Sequence, residues 1–351
     1  MSKEIPEKIK AAVLCDLGRP LELIDLQVPE ISEGQVLVKM YYSGLCHSQL
    51  MEVRGKRGAD KYLPHLLGHE GTGIVVGVGH KVSKVKLGDK LILTWIKGDG
   101  IDCKGPVYKY GKQIINAGPI TTLSEYTIVA ENRCVKLPED MPLEIGSLLG
   151  CAVLTGAGIV VNTIKPDETD SILIYGLGGI GLSALIAATM FECRKIIAVD
   201  VEDKKLRLAV ELGATHTINS QNENILDVVS EFTNGSGVDY AVEAAGATST
   251  IEDAFNSVKD DGGLCVFASH PEFGKKISLD PHKLISGKRI KGSWGGESMP
   301  DKDIPLFAKL YKEGKLPLER LVTSYYSLEQ VNEAFNDLEN RKIQRALVDM
   351  C

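Results

Sequence analysis

The sequence predicts an α/β protein that combines a doubly wound parallel sheet with a second, β-rich part. Three observations support this prediction. The length of 351 residues accommodates two domains. Short β-branched runs separated by glycines fill the chain up to about residue 150. Strands alternate with helical segments after that point.

Short strands account for the first part of the chain. Residues 35–40, 73–78 and 90–93 are β-branched or alternate between apolar and polar side chains, and glycines punctuate them. No helix–strand alternation is visible in this region. The pattern therefore predicts mostly β-structure.

The second part follows a different pattern. Ser171–Tyr175 and Lys195–Asp200 are short apolar runs that predict buried strands, with a helical stretch between them. Strands and helices continue to alternate as far as residue 268, and two helical patterns and a strand at 345–350 close the chain. Such alternation implies parallel βαβ units in a doubly wound sheet.

Composition excludes several classes of function. The net charge is −7, with Lys and Arg interspersed among acids, whereas a nucleic-acid binder needs a concentrated basic surface. No apolar run approaches the ~20 residues that cross a bilayer, and the start lacks the apolar core of a signal peptide. Eight scattered cysteines favour reduced thiols. We therefore expect a cytoplasmic protein without nucleic-acid or membrane partners.

A glycine motif marks a dinucleotide site. Gly176, Gly178 and Gly181 form G-x-G-x-x-G, which includes Gly179 and Ile180, and the motif follows a strand and opens a helix. Glycines permit a tight turn and close approach of a pyrophosphate to the helix N-terminus. Asp200 ends the next strand, where it would accept hydrogen bonds from the adenosine ribose of NAD. A tight turn without a ligand would not explain Asp200.

A second constellation comprises Cys46, the pair His69–Glu70, and Cys151. Thiolate, imidazole and carboxylate are zinc ligands, and a catalytic zinc keeps three protein ligands and one exchangeable position. Sequence spacing alone does not bring these residues together. Residue type alone also leaves open buried cysteines and a packing histidine.

Residues 68–82, GHEGTGIVVGVGHKV, resemble the signature of zinc-containing alcohol dehydrogenases of the medium-chain superfamily. GLCHSQ, LGDKLIL, LSEYTIV, LLGCAVLTGAG and LIYGLGGIGLSA follow in family order, so that the resemblance covers nearly the whole chain. It implies a GroES-like catalytic domain formed by residues 1–152 and 292–351, and a Rossmann domain at 153–291.

The resemblance also implies a mechanism. Cys46, His69 and Cys151 correspond to the zinc ligands, and Glu70 to an acid beside them that can approach the metal. Zinc acts as a Lewis acid on the alcohol oxygen, so that an alkoxide forms near neutrality and its carbon passes hydride to the nicotinamide. Ser48 corresponds to the hydroxyl residue that takes the alcohol proton.

Further residues match cofactor contacts of the family. His47 and Arg345 correspond to positions that contact the cofactor phosphates. Thr155 and Ile180 correspond to residues that pack on the nicotinamide, and Lys205 to a lysine near the adenosine ribose. These matches are expectations carried over from the resemblance.

Three positions depart from the family pattern. Many relatives have a lobe with four cysteines around a structural zinc, but residues 95–126 contain only Cys103, so we expect one catalytic zinc and no structural zinc. Gln49 replaces an aspartate that would orient a zinc-binding histidine. Met51 replaces a histidine that ends the proton relay in some relatives.

The substrate is predicted from three positions. Trp95 and Ala117 align with residues that line the substrate channel of relatives, and His270 follows a strand at the carboxyl end of the Rossmann sheet. His270 is either a solvated loop residue or, together with the Trp95 indole, a hydrogen-bonding group for a polar substrate. The second interpretation predicts a polar secondary alcohol, such as a polyol or sugar derivative.

Two alternative functions remain open at this point: a zinc-free medium-chain enoyl or quinone reductase, and a catalytically silent nucleotide-binding protein. The retained Cys46, His69 and Cys151 argue against the first, whereas the missing lobe and Gln49 give slight support to the second. Residues 289–294 resemble the edge strand by which relatives dimerise, so we expect a homodimer, with a tetramer as the alternative.

Overall fold

The computed structural model describes residues 5–351, which fall into two compact units. The first unit comprises the chain up to Cys151 together with Met299–Cys351, and the second unit is Ala152–Ser298. Each unit has its own sheets and its own hydrophobic core.

The second junction lies further along the chain than the expected position after residue 291. Residues 292–298 belong to the second unit because their polar groups are bonded there. The Ser298 hydroxyl donates a hydrogen bond to the Leu154 carbonyl over 2.7 Å, and the Asn162 amide donates to the Gly296 carbonyl over 3.3 Å. Sequence patterning shows the end of the last Rossmann strand but not these side-chain contacts.

The N-terminal segment is mainly β-structure, as the short glycine-punctuated runs predict. It also contains two short helices that the sequence analysis did not identify. Its elements are β1 (Lys8–Leu14), β2 (Glu22–Gln27), β3 (Gln35–Gly44), α1 (His47–Val53), β4 (His65–Leu66), β5 (Glu70–Val78), β6 (Lys90–Thr94), β7 (Val107–Tyr110), β8 (Gln113–Asn116), β9 (Tyr126–Ala130), β10 (Cys134–Lys136) and α2 (Leu143–Ser147).

The middle segment alternates helices and strands. Its first helix continues as a π-helical stretch, Ile159–Ile164. Its elements are α3 (Ala152–Gly158), β11 (Ser171–Tyr175), α4 (Gly179–Thr189), β12 (Lys195–Asp200), α5 (Asp203–Glu211), β13 (His216–Asn219), α6 (Ile225–Phe232), β14 (Tyr240–Glu243), α7 (Thr248–Ser257), β15 (Leu264–Phe267), α8 (Pro281–Ile285) and β16 (Arg289–Gly292).

The C-terminal segment returns to the first unit. Its elements are α9 (Pro300–Lys312), β17 (Ser324–Ser327), α10 (Val331–Glu339) and β18 (Ala346–Asp349). The last strand pairs antiparallel with β3, where Val348 lies opposite Ser43. The C-terminal segment therefore shares one sheet with β3 of the N-terminal segment.

The first unit contains a closed barrel, β1-β2-β7-β8-β4, and a seven-stranded sheet in the order β10-β6-β5-β3-β18-β17, with β9 also paired to β3. Alternate residues of β1 point into the barrel, because side chains change face at every residue of a strand. Ile9, Ala11 and Val13 are accordingly buried in its core with Tyr108.

The second unit contains one parallel six-stranded sheet in the order β13-β12-β11-β14-β15-β16. The order reverses between β11 and β14, which is the arrangement of a Rossmann fold, and ligands of such sheets bind at the carboxyl ends beside this switch point. The α/β class predicted from the sequence is confirmed. Within residues 5–351, no single helix is long and apolar enough to cross a bilayer. One pair of helical segments, separated by a bend, reaches that length and apolar composition only when the two segments are counted together.

Candidate active site

Cys46 is positioned at the start of α1. It is the N-cap residue, and its N–H donates a hydrogen bond to the Gln49 Oε1 over 2.7 Å. The Gln49 side chain thus satisfies a helix N-terminal donor that would otherwise lack a partner. The Ser48 hydroxyl donates to the Cys46 sulfur over 3.3 Å. Both side chains therefore have fixed positions beside the thiol.

His69 lies in the short connection between β4 and β5. Gly68 before it has φ +98°, and a Cβ there would collide with Thr122. Only glycine adopts such a conformation readily and leaves this space. The GHE sequence therefore turns the chain so that His69 is half-buried and Glu70 begins a buried strand.

Cys151 lies at the end of the N-terminal segment of the first unit. It follows a 3₁₀ turn, Leu148–Gly150, and is buried. A Cβ on Gly150 would collide with the Leu93 carbonyl and with Glu70, so glycine lets this turn pack tightly on β5 and β6. The close packing places Cys151 against the strand that follows His69.

Cys46, His69 and Cys151 converge, with one ligand atom from each lying within 4.8 Å of the others. Hydrogen bonding with Cys151 and interaction with His69 hold the pKa of the Cys46 thiol well below its ordinary value, although burial opposes this shift. A thiolate is the form that ligates a metal. Two thiolates and one imidazole fit a zinc ion that keeps an open position.

Glu70 has a different environment from the three convergent residues. It is fully buried, and its carboxylate forms an ion pair with Arg345. Arg345 also donates to the Leu45 carbonyl over 2.9 Å and is itself buried. Glu70 is thus held by the guanidinium next to the cluster. The Arg345 guanidinium contacts Glu70 and the main chain. Its contact with a cofactor phosphate, which the resemblance implies, stays a prediction.

Two of the departures from the family pattern, Gln49 and Met51, lie on α1 together with His47. His47 is exposed and Met51 is half-buried. Gln49 is buried, and its amide oxygen is used by the Cys46 N–H. The glutamine therefore supports the main chain of a zinc-ligand residue, which is a different task from the aspartate's support of a histidine.

The glycine turn of the second unit has the geometry that its motif predicts. Gly176 directly follows β11 with φ +91°, and a Cβ there would meet the main chain of Ala245. A Cβ on Gly181 would collide with the Gly176 carbonyl. Gly178 caps α4, and the space in front of its Cα is open. The turn therefore leaves room for a phosphate group at the helix N-terminus.

Asp200 lies beside this turn at the end of β12. Its Oδ2 accepts a hydrogen bond from the Leu177 N–H over 2.8 Å, and its Oδ1 accepts from the Val201 N–H over 2.8 Å. Lys205 Nζ lies 3.6 Å from Oδ2. These contacts fix a carboxylate next to the glycine turn, where a cofactor ribose fits.

Thr155 and Ile180 lie on two helices that pack together, α3 and α4. A Cβ on Gly156 would meet the Ile180 carbonyl, so glycine permits this close approach. Thr155 is buried, and its hydroxyl oxygen has no hydrogen-bond partner within residues 5–351. A buried hydroxyl is expected to be bonded. Its position therefore fits a polar group of a bound cofactor.

The three expected pocket residues lie in different surroundings. Trp95 is half-buried against the core of the seven-stranded sheet, whereas Ala117 packs against the barrel core. His270 is exposed after β15, and its ring meets Trp294 edge-on at 6.3 Å between centroids. Among the described residues of the first unit, Trp95 and Ala117 therefore pack against two different hydrophobic clusters.

Cys103, the residue left in the shortened lobe, is half-buried and donates to the Gly34 carbonyl over 3.4 Å. Across residues 5–351, two groups have three convergent metal-binding side chains. One is the cysteine–histidine cluster. The other is Glu52, Asp60 and His65, which the sequence analysis missed because their spacing matches no metal-binding motif.

Fold and site together define a two-unit, dinucleotide-linked zinc dehydrogenase. Residues 32–139 match the family model described as the alcohol dehydrogenase GroES-like domain, and residues 179–313 match that of the zinc-binding dehydrogenases. The chain is 32% identical to S-(hydroxymethyl)glutathione dehydrogenase of Synechocystis sp., with 97% of this chain and 99% of that protein aligned. The same values hold for the enzyme of that name from Photobacterium damsela subsp. piscicida.

Solved structures of alcohol dehydrogenases are also similar to nearly the whole chain. Benzyl alcohol dehydrogenase from Acinetobacter calcoaceticus superimposes with a TM-score of 0.89 at 30% identity, covering 99% of this chain and 100% of that one. For 2R,3R-butanediol dehydrogenase from Bacillus subtilis the TM-score is 0.78 at 26% identity, with 97% and 99% covered. The chain belongs to the zinc-dependent medium-chain alcohol dehydrogenase family. It is an oxidoreductase of the alcohol dehydrogenase type with zinc and NAD as cofactors, which confirms the prediction from the resemblance.

Proposed function

We propose that this enzyme transfers hydride between a polar secondary alcohol, such as a polyol or sugar derivative, and NAD. The observation that supports the reaction is the convergence of Cys46, His69 and Cys151 within 4.8 Å, with the Ser48 hydroxyl 3.3 Å from the Cys46 sulfur. A proton-accepting hydroxyl and a zinc-binding cluster are thus adjacent.

Each residue of the cluster has a defined task in this proposal. Cys46, His69 and Cys151 hold the zinc, which supplies Lewis acidity to the alcohol oxygen. Ser48, whose side chain is fixed next to a ligand, takes the hydroxyl proton of the alcohol as it passes its own hydroxyl proton on to water or to a ribose hydroxyl of the cofactor. Arg345 neutralises Glu70, so that the buried carboxylate does not add a third negative charge beside the two thiolates.

The cofactor contacts are proposed from the second unit and from α1. Gly176, Gly178, Gly179, Ile180 and Gly181 form the turn for the pyrophosphate. In addition, Asp200 and Lys205 bind the adenosine ribose, and the buried Thr155 hydroxyl bonds a group of the nicotinamide half. His47, which is exposed at the start of α1, is proposed to contact a cofactor phosphate, as the resemblance implies.

The substrate class is proposed from His270. It is exposed immediately beyond β15, at the end of a parallel sheet where ligands bind. A site that hydrogen-bonds a substrate hydroxyl rejects analogues that lack it more strongly than an apolar site does. Trp95 and Ala117 are proposed as additional walls of the substrate channel. Two of the relatives are named for polar substrates, S-(hydroxymethyl)glutathione and a butanediol.

A substrate screen with NAD tests this proposal. We expect polyols, sugar derivatives or other hydroxylated secondary alcohols to give higher kcat/KM than ethanol or benzyl alcohol. His270→Ala should lower kcat/KM for the polar substrate far more than for a small aliphatic alcohol. His282→Ala, an exposed histidine on α8, is the matched control and should change neither. An equal effect of His270→Ala on both substrate classes would refute the assignment.

We also propose a cytoplasmic homodimer, with a tetramer as the alternative. All eight cysteines are free thiols, which fits a reducing compartment. β16 is the edge strand of its sheet and offers unpaired main-chain groups to a second copy. Sedimentation at micromolar concentration should show a dimer, whereas a monomer alone would contradict the proposal.

A further inference from the structure

Glu52, Asp60 and His65 form a second cluster in the first unit. Glu52 lies on α1, Asp60 in the following loop and His65 at the start of β4. His65 Nε2 lies 2.8 Å from Asp60 Oδ2 and 3.8 Å from Glu52 Oε1, and the three atoms are all within 4.8 Å of one another. No residue of this cluster takes part in the proposed reaction.

The main chain determines which nitrogen of His65 faces the carboxylates. Nδ1 lies 2.9 Å from the Leu66 carbonyl, which can only accept a hydrogen bond, so Nδ1 carries the proton. Nε2 lies within hydrogen-bonding distance of Asp60 Oδ2, and it offers a lone pair to a metal once it gives up the proton shared with that carboxylate. This arrangement, with one ring nitrogen fixed by a carbonyl, is the usual setting of a metal-binding histidine.

The carboxylates of Asp60 and Glu52 are also held in place, because in each of them the oxygen that does not face His65 has a partner of its own. Asp60 Oδ1 accepts from the Tyr62 N–H over 2.8 Å, and Glu52 Oε2 lies 3.3 Å from the Arg57 guanidinium. Each carboxylate therefore turns its remaining oxygen toward His65 Nε2. Without a cation, a proton on Nε2 shared with Asp60 offsets part of the negative charge of the two carboxylates. A divalent ion in that position would replace this proton and offset both charges.

We propose that Glu52, Asp60 and His65 bind a divalent cation, separate from the cysteine–histidine zinc cluster. The two carboxylates match the charge of the ion, and oxygen ligands with one imidazole suit Mn²⁺. Glu52 and Asp60 are partly exposed, which leaves a path for the ion and for water ligands, whereas the His65 side chain is 91% buried and fixed.

The site would stabilise the connection between two zinc ligands. α1 begins directly after Cys46, and β4 leads within three residues to His69. An ion bound by Glu52 on α1 and His65 on β4 ties together the elements that carry Cys46 and His69. Its role is thus structural, in the loop between these elements.

The test is a titration of the zinc-loaded enzyme with Mn²⁺, followed by the electron paramagnetic resonance signal of the free ion. Mn²⁺ prefers oxygen ligands and does not displace zinc from two thiolates. We expect one Mn²⁺ per chain, together with a rise in Tm at saturation. Asp60→Asn and His65→Ala should each weaken binding about tenfold or more, since even indirect support of a ligand contributes about that much.

Two further variants complete the test. His80→Ala removes an exposed histidine 3.7 Å from Glu33 and should bind Mn²⁺ as the wild type does. Glu52→Gln changes a partly exposed side chain, so it should fold even if His65→Ala does not, and it should also bind weakly. Absence of a bound Mn²⁺ in the wild type, or equal affinity in all variants, would overturn the proposal. The cluster would then be an ion pair of an imidazolium with two carboxylates.

Discussion

Arg345 and Glu70 form an ion pair in the interior of the first unit, directly beside His69 of the cysteine–histidine cluster. Gly44 makes the contact possible, because a Cβ at that position would collide with both the carboxylate and the guanidinium. The pair joins the strand that begins at Glu70 to the C-terminal segment. The N-terminal and C-terminal segments of the first unit therefore meet next to the cysteine–histidine cluster.

The Glu70→Gln variant should be strongly destabilised. Removal of one charge leaves the Arg345 guanidinium buried without its partner, which typically costs about 3–5 kcal/mol. Urea unfolding of zinc-loaded protein measures this change. Glu329→Gln is the control, because Glu329 pairs with Lys10 at the surface and exposed pairs contribute about 0–1 kcal/mol. If both variants lost a similar amount of unfolding free energy, burial would not increase the contribution of the Glu70–Arg345 pair.

Zinc content should be one per chain after dialysis against a chelator. Cys46→Ser should remove this zinc and abolish activity, yet leave NAD binding largely intact, because the glycine turn belongs to the other unit. Cys103→Ser should keep the full zinc content. Metal analysis and a fluorescence titration with NADH give the two readouts. Two tightly held zincs in the wild type would refute the expected absence of a structural site.

NAD should be preferred over NADP by tenfold or more in kcat/KM. Asp200 is fixed beside the glycine turn, where its charge repels a 2′-phosphate and its hydrogen bonds to the ribose are lost, and such bonds contribute roughly 1.5–3 kcal/mol. Asp200→Asn should lower the ratio of kcat/KM with NAD to kcat/KM with NADP. Asp203→Asn, an exposed acid at the start of α5, serves as the control. Equal kcat/KM of the wild type with NAD and NADP would refute the proposed role of Asp200 in cofactor choice.

Ser48→Ala should lower kcat by roughly 10²–10⁴, the range that general acid–base groups contribute. Zinc content and NAD affinity should stay unchanged, because the hydroxyl is adjacent to the Cys46 sulfur and is not itself a ligand in the cluster. Ser48→Thr keeps a hydroxyl and should restore most of the rate. Steady-state kinetics across pH measures both variants, and full activity of Ser48→Ala would exclude the proton-accepting role.

Several features of this protein follow from the sequence alone because they are local. The glycine turn needs only a strand, three glycines and a helix in succession, and Asp200 ends the strand that follows. The structure accordingly has β11 and β12 at the predicted residues, Ser171–Tyr175 and Lys195–Asp200. Family resemblance added the identity of the zinc ligands, because those residues lie in motifs that can be compared directly.

Tertiary structure alone decided the contacts between distant segments. Arg345 bonds the carbonyl of Leu45, 300 residues away, because β18 pairs with β3, and no local pattern specifies which strands pair. The burial of Arg345 against Glu70 likewise results from strand pairing and could not be predicted from the sequence. The cluster of Glu52 and His65 likewise exists only because α1 and β4 are folded together, which a sequence motif does not record.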